Sequence, residues 1–199
     1  MAAGEGDTHG TDIFDIITDP QGNNSEVEPI GDRVPVWLGR AVGSGKWAEA
    51  LTEFVDAAQA SGQMNAVVNL SFDLAQVHPD GSVSTRLHLT LQEYQAIEYA
   101  RQNGVLIVVA AGNDPAAMSA LGQASLAFDN ILTVGAVDGL ERAGYSSYGL
   151  GLDLLAPGVV EDRAGGITRM GTSIAAAQVT RAVSQVWAAH PDFKVYPIV

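Results

Sequence analysis

Ser173 is the residue whose type and position most clearly suggest chemistry. It follows Gly171 and Thr172 and comes directly before a long run of small and apolar residues, where a helix is predicted to begin. The first turn of a helix presents free N–H groups and the positive end of its dipole, so a hydroxyl group there gains help in stabilising negative charge. Ser and Thr are also common helix caps, and a purely structural capping role is the alternative for both hydroxyl groups.

Helices and apolar strands alternate along the chain and must position this residue. Helices are predicted over 12–18, 46–60, 91–101 and 174–189, strands over 34–38, 66–70, 105–110, 131–136 and 152–155, a loop over 19–32, and a loop or irregular hairpin over 72–89. Apolar strands that alternate with helices indicate a parallel sheet covered on both faces. We therefore expect one α/β domain over 1–199, with three α/β/α layers and a mostly parallel sheet. Ligands of such sheets bind at the carboxyl ends of strands, and Ser71 and Asn113 both follow strands.

Three short segments occur in an order that is typical of one enzyme family. His9–Thr11 reads His-Gly-Thr, Val105–Asn113 is an apolar strand that ends in Ala-Ala-Gly-Asn, and Gly171–Ser173 reads Gly-Thr-Ser. In this order, and over nearly the whole chain, the sequence resembles the subtilisin-like serine proteases, peptidase family S8. The resemblance implies a subtilisin-like fold and a serine endopeptidase.

The resemblance also implies a role for each matched residue. Ser173 resembles the nucleophile that forms the acyl-enzyme, His9 resembles the general base, and Asn113 resembles the asparagine whose side-chain amide completes the oxyanion hole. Taken alone, His9 is more readily interpreted as a surface histidine, and Asn113 as a turn residue, which is the commoner role of Gly-Asn. The substrate cleft is expected to include Ser71, Phe72, Asp73, Ala111 and Gly112.

The family's catalytic aspartate has no match in this sequence. In the family it comes from a strand before the histidine, whereas only eight residues precede His9, and Asp7 is too close to His9 in sequence to replace it. We therefore expect the domain to be N-terminally truncated and to require an upstream segment of a larger parent chain. Without that strand, two strands of the sheet would each expose unpaired backbone groups, so an upstream segment or a rearranged sheet is expected.

Phe72 and Asp73 stand where the family usually has glycines. Both side chains are expected to narrow the substrate cleft or to change what it accepts. Together with the unmatched aspartate, this departure leaves a second interpretation open: a catalytically weak or inactive peptidase-like module that binds peptides or packs within a larger protein.

Composition excludes several other classes of protein. The net charge of −13 argues against a nucleic-acid partner, because binding a phosphate backbone needs a positive patch. The sequence has no cysteine, which excludes disulfides and thiolate metal sites. We predict no membrane span, no signal peptide and no cofactor. The family resemblance suggests structural calcium, for which no site is identified, and secretion; the sequence itself leaves the location open.

Gly43–Lys46 superficially resembles a phosphate-binding loop. That motif needs a further glycine earlier in the loop and a Ser or Thr after the lysine, and Arg40 and Trp47 occupy those two positions. The segment is therefore interpreted as a glycine-rich turn that opens a helix, and a nucleotide-binding α/β domain is disfavoured.

Overall fold

A computed structural model of the chain describes residues 9–18, 34–39, 45–63, 65–161 and 168–194. The loop predicted over 19–32, Asp7, Gly43 and Ser44 lie outside these residues. Within the described ranges, none of the helices combines the length and the apolar character that crossing a bilayer requires.

The described elements follow the alternating order that the sequence predicts. The helices are α1 (His9–Thr18), α2 (Trp47–Ser61), α3 (Leu91–Gln102) and α4 (Thr172–Ala189), with a 3-10 turn at Ala124–Leu126. The strands are β1 (Ala66–Leu70), β2 (Ala75–Val77), β3 (Val83–Thr85), β4 (Val105–Ala110), β5 (Ile131–Asp138), β6 (Glu141–Arg142), β7 (Leu154–Pro157), β8 (Val159–Glu161) and β9 (Thr168–Met170).

Four parallel strands form the sheet that carries the site. Strand β4 pairs with β1 on one side and with β5 on the other, and β5 also pairs in parallel with β7. The short β6 adds an antiparallel pairing at the end of β5. Strands β2 and β3 form a separate antiparallel hairpin, so the predicted irregular hairpin is confirmed.

Strand β4 divides the core into two faces. Its residues Val105, Ile107 and Val109 belong to a cluster with the buried faces of α2 and α3. The alternate residues Leu106 and Val108 belong to a second cluster with α4 and β5. Because side chains alternate across a strand, this division places helices on both faces of the sheet. The three-layer α/β/α fold with a mostly parallel sheet is thereby confirmed.

The segment 34–38 is not a strand, and this prediction was wrong. Residues 35–39 are irregular, and Leu38 is 73% exposed. Trp37 instead packs on Phe54 of α2, with ring centroids 5.8 Å apart. The apolar pattern was strand-like, but a strand needs a neighbour to satisfy its backbone groups, and no described strand lies beside this segment. The free edge of β1 likewise has no partner among the described residues.

A buried ion pair ties the exit of the β2–β3 hairpin to α2 and α3. Arg86 contacts the Glu93 carboxylate at 2.5 and 2.7 Å, and the indole of Trp47 donates to the same group at 2.8 Å. Thr90 and Glu93 form a capping box at the start of α3. Burial alone would raise the pKa of Glu93, but these donors outweigh burial and lower the pKa to about 2. The carboxylate is therefore charged and fully engaged at neutral pH.

Candidate active site

The predicted nucleophile lies within the first turn of α4. The N-cap of this helix is Gly171, whose carbonyl accepts hydrogen bonds from the N–H groups of Ile174 and Ala175 at 3.1 and 3.4 Å. Thr172 and Ser173 are therefore already helical, and the interpretation that their side chains cap the helix is wrong. Their N–H groups lie at the end of the helix where no intrahelical acceptor exists.

Asn113 joins the end of β4 to this first turn. Its Oδ1 accepts hydrogen bonds from the Thr172 N–H at 2.8 Å and from the Thr172 hydroxyl at 3.1 Å. The same hydroxyl oxygen accepts from the Gly112 N–H at 3.1 Å. These bonds fix the orientation of the Asn113 amide. Its Nδ2 donates to no acceptor among the described residues.

Ser173 is held against the end of β1 by reciprocal contacts with Ser71. The Ser173 hydroxyl donates to the Ser71 carbonyl at 3.4 Å, and the Ser71 hydroxyl donates to the Ser173 carbonyl at 3.2 Å. Ser173 is only 8% exposed. Because 3.4 Å is long for a hydrogen bond from a hydroxyl group, the Ser173 hydroxyl is positioned but only weakly engaged.

Two residues that sequence reasoning missed support this contact. Asn69 donates to the Ser71 hydroxyl at 2.8 Å, and the Thr180 hydroxyl of α4 contacts Asn69 Oδ1 at 3.1 Å. The available signal was Asn69 itself, a polar side chain within an otherwise apolar strand. Its partner lies 111 residues away in the chain, so the sequence did not reveal why it is there.

Gly112, which directly precedes Asn113, is in close contact with the Asp73 carboxylate. The φ angle of Gly112 is +110°, a conformation that side-chain-bearing residues rarely adopt. A Cβ atom at this position would lie 2.5 Å from Asp73 Oδ2 and 2.7 Å from the Ser147 hydroxyl. The positive φ favours glycine here, and any side chain would also displace these two groups. The preceding residue, Ala111, is fully buried, and its N–H donates to the Val134 carbonyl.

Phe72 is engaged by the core. Its ring packs edge-on against Trp47 with centroids 6.1 Å apart, and its half-buried side chain contacts the cluster formed with α2 and α3. Of the two side chains expected to shape the cleft, Asp73 is therefore the one in contact with Gly112.

His9 is the exposed first residue of α1. This helix lies against α4, and Asp12 forms an ion pair with Arg169, which precedes α4. No hydrogen bond between described residues joins His9 to Ser173. The site residues that the structure brings together are Ser71, Asp73, Gly112, Asn113, Thr172 and Ser173.

The other histidines have different partners. The His78 ring is 2.7 Å from the Ser84 hydroxyl in the hairpin, and the His190 ring stacks on Phe193 at the end of α4. In the described part of the chain, no three His, Asp or Glu residues are grouped so that they could hold a metal ion.

Comparison with known proteins gives consistent matches. The model of the subtilase family, Peptidase_S8, matches residues 4–198. Subtilisin-like protease 2 of Pseudogymnoascus destructans is 44% identical over 91 residues, which are 42% of this chain and 22% of that protein. Subtilisin BL of Lederbergia lenta is 38% identical over 104 residues, which are 50% of this chain and 38% of that protein. The matches thus cover well under half the length of these relatives.

Solved structures share the fold. Sphericase superposes with a TM-score of 0.58 and 23% identity, covering 75% of this chain and 51% of its own. The structure titled prenylagaramide maturation protease PagA superposes with a TM-score of 0.64 and 24% identity, covering 93% of this chain and 65% of its own.

Proposed function

Because the chain belongs to the subtilase family of serine proteases, we propose that it supplies the nucleophile and the oxyanion hole of a serine endopeptidase. The observation that carries the proposal is the set of hydrogen bonds that joins Asn113 to Thr172, directly before Ser173. These bonds link the end of a buried strand to the first turn of a helix.

In this mechanism the Ser173 oxygen attacks the peptide carbonyl carbon. A new C–O bond forms, the hydroxyl proton moves to a base, and the carbonyl oxygen takes up negative charge. Collapse of this intermediate breaks the C–N bond as the base returns the proton to the leaving amine. Water then hydrolyses the acyl-enzyme by the same steps and regenerates the Ser173 hydroxyl.

The Asn113 Nδ2 group and the Ser173 N–H stabilise that negative charge. Both are fixed before substrate binds, the first through Thr172 and the second through the helix, so little reorganisation is needed as the charge develops. The dipole of α4 acts in the same direction. Ser71, which directly follows strand β1, supports this arrangement because its hydroxyl donates a hydrogen bond to the Ser173 carbonyl.

His9 is the proposed base, and it acts once a carboxylate orients its ring. Imidazole can accept and return a proton near neutral pH, but it must be held in the correct tautomer and its cation must be balanced. We assign that carboxylate to an upstream segment of a larger parent chain, as in the family pattern. Secretion, also suggested by the family resemblance, belongs to the same proposal.

A second candidate function is a peptidase-like module that binds peptides with little or no turnover. The specific observation in its favour is the exposure of His9, which has no hydrogen bond to Ser173 among the described residues. The cleft residues would then bind a peptide without cleaving it.

Labelling by a fluorophosphonate distinguishes these functions, because the probe reacts with an activated serine and reports its position. In the chain joined to the proposed upstream segment, we expect one adduct, on Ser173, and none after Ser173→Ala. Ser184→Ala is the matched control, because Ser184 is a buried serine of the same helix, donates only to the Thr180 carbonyl, and should leave labelling unchanged. An adduct that survives Ser173→Ala would refute the nucleophile, and no adduct at all would favour the binding module.

A further inference from the structure

The Asp73 carboxylate has an unusual position for a charged group. Its Oδ2 packs on Gly112, so closely that a Cβ atom there would be only 2.5 Å away. Asp73 as a whole is exposed, yet its charged end is the part pressed against the strand ends. Gly112 is the residue between this carboxylate and Asn113, whose amide donor is proposed to hold the substrate carbonyl.

The groups around this carboxylate do not neutralise it. The Ser147 hydroxyl lies on the same side of Gly112 but donates to the Asp114 carbonyl at 2.6 Å. None of the ion pairs between described residues includes Asp73. The nearby charge of Asp114 is of the same sign.

The ionisation of Asp73 reflects these surroundings. Burial of its carboxyl group raises the pKa, the neighbouring Ser119 hydroxyl lowers it, and the charge of Asp114 raises it again. Ser119 is buried and makes no regular hydrogen bond with any described residue, so its hydroxyl group faces the carboxylate without fully satisfying it. A cation bound at this place would offset both the cost of burying the Asp73 carboxylate and its repulsion by Asp114.

We propose that the Asp73 carboxylate binds the positively charged side chain of a lysine or arginine in the substrate, beside the peptide bond that Ser173 cleaves. The inference rests on the proposed function, because it takes the position of the substrate from Asn113 and Ser173. Because Gly112 directly precedes Asn113 and carries the contact with the carboxylate, we place the side chain adjacent to the bound carbonyl next to Gly112. Charge-assisted hydrogen bonds to a partly covered carboxylate are stronger than neutral ones, and arginine can make two at once.

Two features of the chain agree with a cationic substrate. The net charge of −13 attracts basic peptides and repels acidic ones before contact. Phe72, the neighbour of Asp73, is turned into the core by its contact with Trp47, so the carboxylate is not screened by that ring.

The test compares two peptides that differ only by arginine or citrulline at the residue beside the cleaved bond. Citrulline keeps the shape of arginine and removes its charge. Binding of the fluorescently labelled peptides is measured with the Ser173→Ala chain, and hydrolysis with the unmodified chain joined to its upstream segment. We expect the arginine peptide to bind about tenfold more tightly or better, as charged hydrogen bonds imply.

Asp73→Asn, combined with Ser173→Ala for binding, should remove this preference. Asp114→Asn is the matched control, since it removes a neighbouring negative charge and leaves the carboxylate on Gly112, and it should retain the preference. An arginine-to-citrulline ratio near one, or a ratio that Asp73→Asn leaves unchanged, would overturn the inference.

The two proposals fail in distinguishable ways. If both peptides are hydrolysed at the same rate, the substrate preference is wrong while the peptidase stands. If neither peptide is hydrolysed but the Asp73-dependent preference persists in binding, the peptidase is wrong while the cation site stands.

Discussion

The two halves of the candidate site are held in the structure in different ways. On one side, Gly112, Asn113 and Thr172 connect a fully buried strand to the first turn of α4 through three hydrogen bonds. On the other side, His9 begins a helix in which only Ile13 and Thr18 are buried. The half that would stabilise negative charge is built into the core, whereas the half that would move protons is attached at the surface.

This difference shows which part of the chemistry depends on other residues. Strand β4 has neighbours on both sides and all six of its residues are buried, so whatever follows it is held firmly. Strand β1 is only half-buried over most of its length and has one described neighbour. Helix α1 packs against α4, and no described strand pairs with the free edge of β1.

The largest expected effect comes from adding the proposed upstream segment with its aspartate. We expect turnover to rise by up to about 30,000-fold, the loss that removal of this aspartate causes in subtilisin. The urea midpoint should also rise, because the new strand would pair the free edge of β1. Peptide hydrolysis and urea unfolding of residues 1–199 with and without the segment provide the test. Equal activity and equal stability of the two forms would contradict the proposal that the proton-transfer half of the site depends on an upstream segment.

Asn113→Ala should have the next largest effect. Loss of one oxyanion donor costs about 100- to 1,000-fold in kcat, with a much smaller change in KM. Steady-state hydrolysis by the chain joined to its upstream segment measures it. Asn103→Ala is the control, because Asn103 ends α3, where its side chain donates to the Tyr99 carbonyl, and should leave kcat unchanged. A change confined to KM would place Asn113 in binding alone.

Glu93→Gln tests how firmly the α2 and α3 side of the core is held. At neutral pH it leaves Arg86 without its anion, and we expect a loss of about 2–3 kcal/mol in the free energy of unfolding. Because folding lowers the Glu93 pKa from 4.5 to about 2, its contribution is complete above pH 4.5 and disappears as the pH falls towards about 2.

Urea unfolding at several pH values checks this prediction. Glu98→Gln is the matched control, because Glu98 also has a pKa lowered to about 2 through Arg101 but lies on the surface of α3. Its replacement should cost much less than that of Glu93. Equal losses for the two variants would mean that the buried network adds nothing beyond a surface pair.

Arg169→Gln should have the smallest effect. It breaks the ion pair with Asp12, which is partly exposed and is expected to contribute less than about 1 kcal/mol. Amide hydrogen exchange should rise within α1 and stay unchanged in the first turn of α4. Arg101→Gln, which removes an exposed pair with Glu98, should leave both regions unchanged. Faster exchange at Thr172 and Ser173 in Arg169→Gln would show that the half of the site at α1 and the half at the first turn of α4 are not independent.

The parts of the fold that could be predicted are those fixed by local pattern. The apolar run Val105–Ala110 is a strand with the predicted bounds, and α2 and α3 begin and end within one residue of prediction. Gly45, shortly before α2, has a φ of +68°. The residues 34–38 have a similar apolar character but no strand partner. Sequence pattern describes what a segment can form, and the presence of a neighbour decides whether it does.

The sequence pointed to the candidate site most directly where a motif follows the end of a strand, at Asn113, or coincides with the start of a helix, at Ser173. The contact of Asp73 with Gly112 and the chain from Thr180 through Asn69 join positions far apart in sequence. Such contacts depend on the register of β1 against β4 and on how α4 packs across the sheet. Neither is readable from local composition.

Acylation by an activated ester tests the central claim most directly. A good leaving group departs without taking up a proton, so the reaction depends less on the base and more on the nucleophile and the oxyanion donors. Mass spectrometry of residues 1–199 treated with a p-nitrophenyl ester should find one acyl group, on Ser173, and its rate of formation should fall more with Asn113→Ala than with His9→Ala. An acyl group on another residue, or a larger effect of His9→Ala, would contradict the account.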